Sequence, residues 1–139
     1  MKYSLKLNKR KMLFMIMVFL SGTMIASAQN ASYNANTIPI NGTFCTAFGY
    51  QALLSNAFNG QSNAANGYQS LFSNTTGDGN TGTGSHTLYS NITGNSNTAA
   101  GSHALYANTA DDNTADGYYS LSANTTGSAN TACGYLSLL

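Results

Sequence analysis

Asn63-Ala64-Ala65-Asn66-Gly67-Tyr68-Gln69-Ser70-Leu71-Phe72-Ser73-Asn74-Thr75-Thr76-Gly77-Asp78-Gly79 is followed at once by a second version of itself, opening on Asn80. Working outward, the same sentence of about 17 residues occurs six times, with units opening at Cys45, Asn63, Asn80, Asn97, Asn113 and Asn130. One glycine marks every unit (Gly49, Gly67, Gly84, Gly101, Gly117, Gly134), at steps of 18, 17, 17, 16 and 17 residues. Four residues after each glycine stands a leucine: Leu53, Leu71, Leu88, Leu105, Leu121 and Leu138. Three residues beyond the first five leucines comes an asparagine: Asn56, Asn74, Asn91, Asn108 and Asn124. A fixed period with fixed positions is the signature of a stacked array, in which each unit buries its apolar face only against its neighbours.

The type of array follows from the unit. Its opening is small, as in Thr98-Ala99 or Thr114-Ala115. The next position accepts Phe48, Asn66, Thr83, Ala100, Asp116 and Cys133 alike, so it reads as solvent-facing, with the flanking Ala and Gly pointing inward by the period of two. A stretch such as Tyr68-Gln69-Ser70-Leu71-Phe72 reads as a second short strand. The Asn-Thr-Thr-Gly return is turn chemistry, with glycine expected to supply positive φ. Two short strands and two turns per unit predict an all-β parallel solenoid, a β-roll of about six coils; helix–turn–helix repeats need more residues and fewer glycines. Stacking would set the asparagines one above another as an amide ladder, a reading that is compatible with turn geometry alone. Six leucines form a thin core, so ladder hydrogen bonds, the tyrosines and sister chains are expected to add to it.

Outside the repeats, Lys2, Lys6, Lys9, Arg10 and Lys11 precede an apolar run from Met12 to about Ile25 and the small-x-small triplet Ala26-Ser27-Ala28. Residues 1–28 therefore read as a secretory signal peptide, 29–43 as a polar, irregular entry segment, and 44–139 as the solenoid. The predicted mature chain has no Lys or Arg, and its charges are Asp78, Asp111, Asp112 and Asp116. Nucleic-acid binding needs cations to neutralise phosphate, so that class is set aside, as is electrostatic attachment to anionic lipid. No membrane span is expected in the mature chain. Cys45 and Cys133 stand in the first and sixth units. Five steps of ~4.8 Å would hold them roughly 24 Å apart, too far for a bond within one chain.

The segments Asn97-Thr98-Ala99-Ala100-Gly101 and Asn113-Thr114-Ala115-Asp116-Gly117-Tyr118 resemble the N-[ST]-A-x-G repeats of YadA-like trimeric autotransporter heads. The longer unit, with its Leu–Asn–Thr–Thr–Gly return, resembles repeats of bacterial surface and tail-fibre-like proteins. The resemblance covers about residues 44–139 and implies a left-handed parallel β-roll, trimeric, at the cell surface and often adhesive. The partners expected are sister chains in a homotrimer and a host or surface glycan or protein. Two departures stand out: the unit is longer than the compact head repeat, and the chain ends inside its sixth unit at Leu139. We read that end as truncation of a longer protein, whose relatives often carry a C-terminal autoprocessing chaperone domain.

No catalytic, cofactor-binding or metal residue is assigned. His86 and His103 occupy the same position in adjacent units without Cys, Asp or Glu in their column, which favours a surface ladder over a metal site. Asp111-Asp112 reads as a solvated turn; the calcium nonapeptide is absent and the chain has no Glu. No G-x-S-x-G elbow, carboxylate pair or P-loop lysine emerges. The leading expectation is thus a secreted, non-enzymatic structural or adhesive segment. The alternatives are an ice-binding solenoid, through the column Thr46, Thr81, Thr98, Thr114 and Thr131 interrupted at Ala64, and a spacer fragment of a longer protein.

Overall fold

The computed structural model describes residues 31–33, 44–56 and 60–139. The signal-peptide reading and most of the entry segment lie outside the described residues. Seven three-residue strands follow in chain order: β1 (Ala31–Tyr33), β2 (Thr46–Phe48), β3 (Ala64–Asn66), β4 (Thr81–Thr83), β5 (Thr98–Ala100), β6 (Thr114–Asp116) and β7 (Thr131–Cys133). They form one parallel sheet in sequence order. The register sets like on like, as in Thr81↔Thr98↔Thr114↔Thr131 and Gly82↔Ala99↔Ala115↔Ala132. The chain is a parallel β-solenoid in which β2 to β7 belong to the six units. β1 departs from the reading of its stretch as irregular: it pairs with β2 as an additional strand ahead of the first unit.

Each coil holds one strand, not two. The stretch after the marking glycine is a run of turns, and its backbone explains why. Left-handed φ alternates with ordinary φ: Gly67 at 145°, Gln69 at 53° and Leu71 at 53°, with the same triplet in every unit. Strand geometry requires negative φ throughout. The inter-coil hydrogen bonding nonetheless continues past the strand, with Gln69 N donating to Tyr50 O (2.9 Å) and Leu71 N to Thr87 O (2.9 Å). A leucine in the left-handed region is uncommon and strained. Here it is held by the ladder on one side and by burial of its side chain on the other; Leu71, Leu88 and Leu105 are fully buried.

The interior is more polar than the leucines suggested. Beside them lie the small residues Ala52, Ser70, Thr87, Ala104 and Ser120, and two columns of asparagine. The tyrosines stay largely outside: Tyr50, Tyr68, Tyr118 and Tyr135 are exposed. Both asparagine columns are buried, the expected one and a second made by the opening residues Asn63, Asn80, Asn97 and Asn113. Within each coil the two amides converge on one carbonyl. Asn80 Nδ2 (2.7 Å) and Asn91 Nδ2 (2.9 Å) both donate to Gly94 O. In the first unit Cys45 takes the opening place, its Sγ donating to Gly60 O (3.3 Å) beside Asn56 Nδ2 (3.2 Å).

The columns are also bonded along the stack. Asn74 Oδ1 accepts from Asn91 Nδ2 (3.1 Å), and Asn80 Oδ1 accepts from both Asn97 N (3.0 Å) and Asn97 Nδ2 (3.1 Å). Burying an amide is unfavourable unless it is hydrogen-bonded, so these ladders are a condition of the fold. They also correct the role of the return glycine. Gly77 and Gly94 do not adopt positive φ; the left-handed residue of that turn comes two positions later, at Gly79 (68°) or Ser96 (56°). Gly94 is small because an added Cβ would lie 2.5 Å from Ala110 O and on Asn91 Oδ1.

One coil breaks the pattern. The unit 97–112 has 16 residues, and Ala110 stands where its neighbours have glycine. Asn108 Nδ2 reaches Ala110 O (2.8 Å), and Asn91 Oδ1 is left buried without a partner. The missing residue therefore interrupts the amide ladder at a single step.

Candidate functional site

With the interior filled by leucine, small residues and asparagine, chemistry directed at a partner must come from the outward columns. Two of them lie on the strand sheet. In β3, β4, β6 and β7 the first and third residues are exposed and the middle one is buried. The threonine column Thr81, Thr98, Thr114, Thr131 is exposed and in register, and Ala64 interrupts it where the sequence showed. Among the described strands only β4 carries threonine at both outward positions, Thr81 and Thr83.

A second surface follows the marking glycines. Aromatic rings stack from coil to coil: Phe72 on Tyr89 at 5.0 Å and 4°, Tyr89 on Tyr106 at 5.1 Å and 6°, and Tyr118 on Tyr135 at 5.5 Å and 8°. The spacing is that of the β-ladder itself. Rings stacked along the axis hide their faces from solvent and present their edges, so Tyr89 and Tyr106 offer edges rather than flat platforms.

His86 and His103 sit within this surface, brought together as their common position required. Their rings stack at 4.9 Å and 18°. Each Nδ1 is hydrogen-bonded to the hydroxyl of the preceding serine, Ser85 at 2.8 Å and Ser102 at 2.9 Å. Tyr119 stacks on His103 at 4.5 Å, and Tyr68 meets His86 edge-on at 5.1 Å. Burial, and then the neighbouring His86, hold His103 below the ordinary imidazole value. No group of three or more His, Cys, Asp or Glu occurs among the described residues that could hold a metal ion.

Of the four acidic residues, Asp116 ends β6, exposed and paired with Ala100, and Asp78, Asp111 and Asp112 stand in the return turns. In the return turns, Asp78 Oδ1 accepts from Gln61 N (2.6 Å) and Asp111 Oδ1 from Asn95 N (2.7 Å). Asp112 adopts φ 60° in the place of Gly79, so the Asp111-Asp112 pair serves the turn as its sequence suggested. Cys45 is buried, Cys133 is exposed, and they form no disulfide, as their places in the stack require.

Sequence reasoning missed the opening asparagines as interior residues. The signal was present in the first unit: cysteine replaces asparagine there, an exchange between small residues that suits a buried place better than a turn. The chain matches no family model, and comparisons with curated proteins and with solved structures find no similar one. No helix among the described residues is long and apolar enough to cross a membrane.

Proposed function

We propose that this chain is a non-enzymatic structural and adhesive segment of a secreted or cell-surface fibre, self-associating as a homotrimer in the manner of YadA-like heads. The observation that carries the reading is the register of like residues in the outward columns, such as Thr81↔Thr98↔Thr114↔Thr131. A partner laid along the stack meets the same group at every coil, about 4.8 Å apart. Such a surface suits many weak, simultaneous contacts, whereas catalysis needs one asymmetric cluster. The partner is a surface glycan or protein with a repetitive structure of its own. Two measurements test this. Sedimentation equilibrium should give three times the chain mass, and a clean monomer overturns the trimer. Beads coated with the chain should adhere to glycan- or matrix-coated surfaces, and adhesion should fall when Thr81, Thr98 and Thr114 are replaced together by Asp; adhesion no greater than that of uncoated beads overturns the adhesive reading.

A second reading, ice binding, is favoured by one specific observation. Four exposed threonines follow one another in register on a parallel sheet. Thermal hysteresis measured on the purified chain decides it. Activity that is abolished by Thr98→Tyr supports ice binding, and freezing-point depression no greater than colligative removes it.

A further inference from the structure

We infer that His86 and His103 form an acid-gated binding site for a single oxyanion group, sulfate, phosphate or carboxylate. The argument begins with the ring edges. On each imidazole Nδ1 is committed to Ser85 or Ser102, which leaves Nε2 at the opposite edge of the ring. When the serine hydroxyl donates to Nδ1, Nε2 carries the proton; in the charged ring both nitrogens do. In the charged ring Nε2 is thus a donor whichever way the serine bond runs, and in the neutral ring it is one when the serine hydroxyl donates to Nδ1. The shared serine bond gives the rings the same orientation, and the 4.9 Å stack sets the two donors side by side.

That arrangement suits an oxyanion better than a metal. Two bonds of ~2.1 Å meet on one ion only when the nitrogens are within about 4.2 Å, while the ring centroids stand 4.9 Å apart, and no third His, Cys, Asp or Glu among the described residues joins the pair to complete a metal's ligand set. An anion with several oxygens spans the wider gap, one oxygen to each Nε2–H, through charge-assisted hydrogen bonds.

Charge points the same way. All five Lys and Arg residues lie within the first 11 positions, so beyond them this pair is the one place where side-chain positive charge can form near neutral pH. The rings packed against them are Tyr68, Tyr89, Tyr106 and Tyr119, with the two serines on the Nδ1 atoms; the acidic residue of the facing coil is Asp116, exposed on β6 and paired with Ala100, three residues before His103. Tyrosine rings beside a protonated imidazole stabilise it. Burial first, and then the repulsion from His86 in the adjacent coil, disfavour the charged form of His103. An anion bridging both rings relieves that repulsion. Binding is thus coupled to proton uptake, and affinity rises as pH falls through the imidazole range, by about tenfold per pH unit for each proton taken up. The inference stands independently of the adhesive reading, since it needs neither a trimer nor a cell surface.

The test is a titration of the chain with sodium sulfate, sodium phosphate or sodium acetate, following the histidine Hε1 resonances at pH 5.5 and 7.5 against sodium chloride of equal ionic strength. Substitution by glutamine is a fair control. The same column holds glutamine in the first two units, where Gln69 Nε2 donates to Gln51 Oε1 (2.6 Å), so His86→Gln and His103→Gln fit the coil. For at least one oxyanion we expect both resonances to move together and saturate at pH 5.5, with binding tenfold or more weaker at pH 7.5 and in either variant. Shifts no larger than those in chloride for all three salts overturn the site, as does unchanged binding in His103→Gln.

Discussion

Replacing Asn80 by alanine tests whether the interior is held by amides. The side chain is fully buried. It donates to Gly94 O (2.7 Å) and accepts from Asn97 N (3.0 Å) and Asn97 Nδ2 (3.1 Å). Asn80→Ala leaves these three groups in different positions. Gly94 O keeps Asn91 Nδ2 at 2.9 Å, and Asn97 Nδ2 keeps Ala110 O at 2.8 Å. Each of those losses should cost about 1 kcal/mol. The Asn97 N–H is left buried with no acceptor, at a further ~1–3 kcal/mol. The total of roughly 3–5 kcal/mol equals what Leu88→Ala should cost in the same coil, about 2–5 kcal/mol. Thr81→Ala, one residue away but exposed, should stay within about 0.5 kcal/mol. Urea unfolding followed by far-ultraviolet circular dichroism measures all three. If Asn80→Ala proves no worse than Thr81→Ala, the polar interior is wrong and the leucines alone define the core.

Three further outcomes follow from other columns. Gly101→Ala should cost at least about 3 kcal/mol in the same assay, because φ is 112° and the new Cβ would lie 2.6 Å from the Gly117 backbone; Gly79→Ala should cost only about 1 kcal/mol, since its Cβ has 3.9 Å of room and Ala129 already adopts φ 57° in that place. Inserting one threonine after Thr109 together with Ala110→Gly restores a 17-residue unit and gives Asn91 Oδ1 a donor, which should raise the urea midpoint by the equivalent of about 1–2 kcal/mol. Lowering the pH should weaken the fold through His103. Its folded value lies below the ordinary 6.5, so the unfolded chain binds the proton more readily; the contribution is complete above about pH 6.5 and is lost as the pH falls. His103→Gln should flatten that part of the stability–pH curve, and a curve of unchanged slope would refute the assignment.

The parts of this fold that were legible in sequence are those set by repetition. Period, parallel stacking, the burial of Leu53, Leu71, Leu88, Leu105 and Leu121 and the outward threonine column all follow from which residues recur, and none needs backbone angles; the sixth leucine, Leu138, is exposed in the last coil, which has no coil beyond it to cover it. The second strand was misread because Tyr68-Gln69-Ser70-Leu71-Phe72 has strand composition, while its conformation is decided by the coil above and below it. Nothing intrinsic to leucine favours φ near 50°; only the accepting carbonyl of the next coil, as Thr87 O accepts from Leu71 N, holds it there. The return glycine was misread for the opposite reason. Its position in a turn suggested positive φ, but at Gly94 the constraint is space beside Asn91 and Ala110, which local turn rules do not describe. At the candidate site, the adjacency of His86 and His103 was legible from their common position. The serine bonds and the tyrosine surround were not, because they depend on side-chain directions along left-handed backbone.

A periodic protein separates what folds it from what it can bind. Asn80, Asn97, Leu88 and Leu105 recur because each coil must fit the next, and a change in any of them is felt along the stack. The position that runs through Phe48, Asn66, Thr83, Ala100, Asp116 and Cys133 carries no such constraint, and its residues vary in size, charge and polarity. Specific recognition therefore has to be sought where an outward column departs from its own habit without any need from the interior. The column Gln51, Gln69, His86, His103, Tyr119, Leu136 meets that description. Glutamine alone would satisfy the fold there, as the Gln51–Gln69 bond shows, yet the two middle coils replace it with the only side chains beyond position 11 that can become cationic near neutral pH. Substitutions at His86 and His103 should consequently change what the chain binds while sparing the solenoid, whereas substitutions at Asn80 or Gly101 should remove both together.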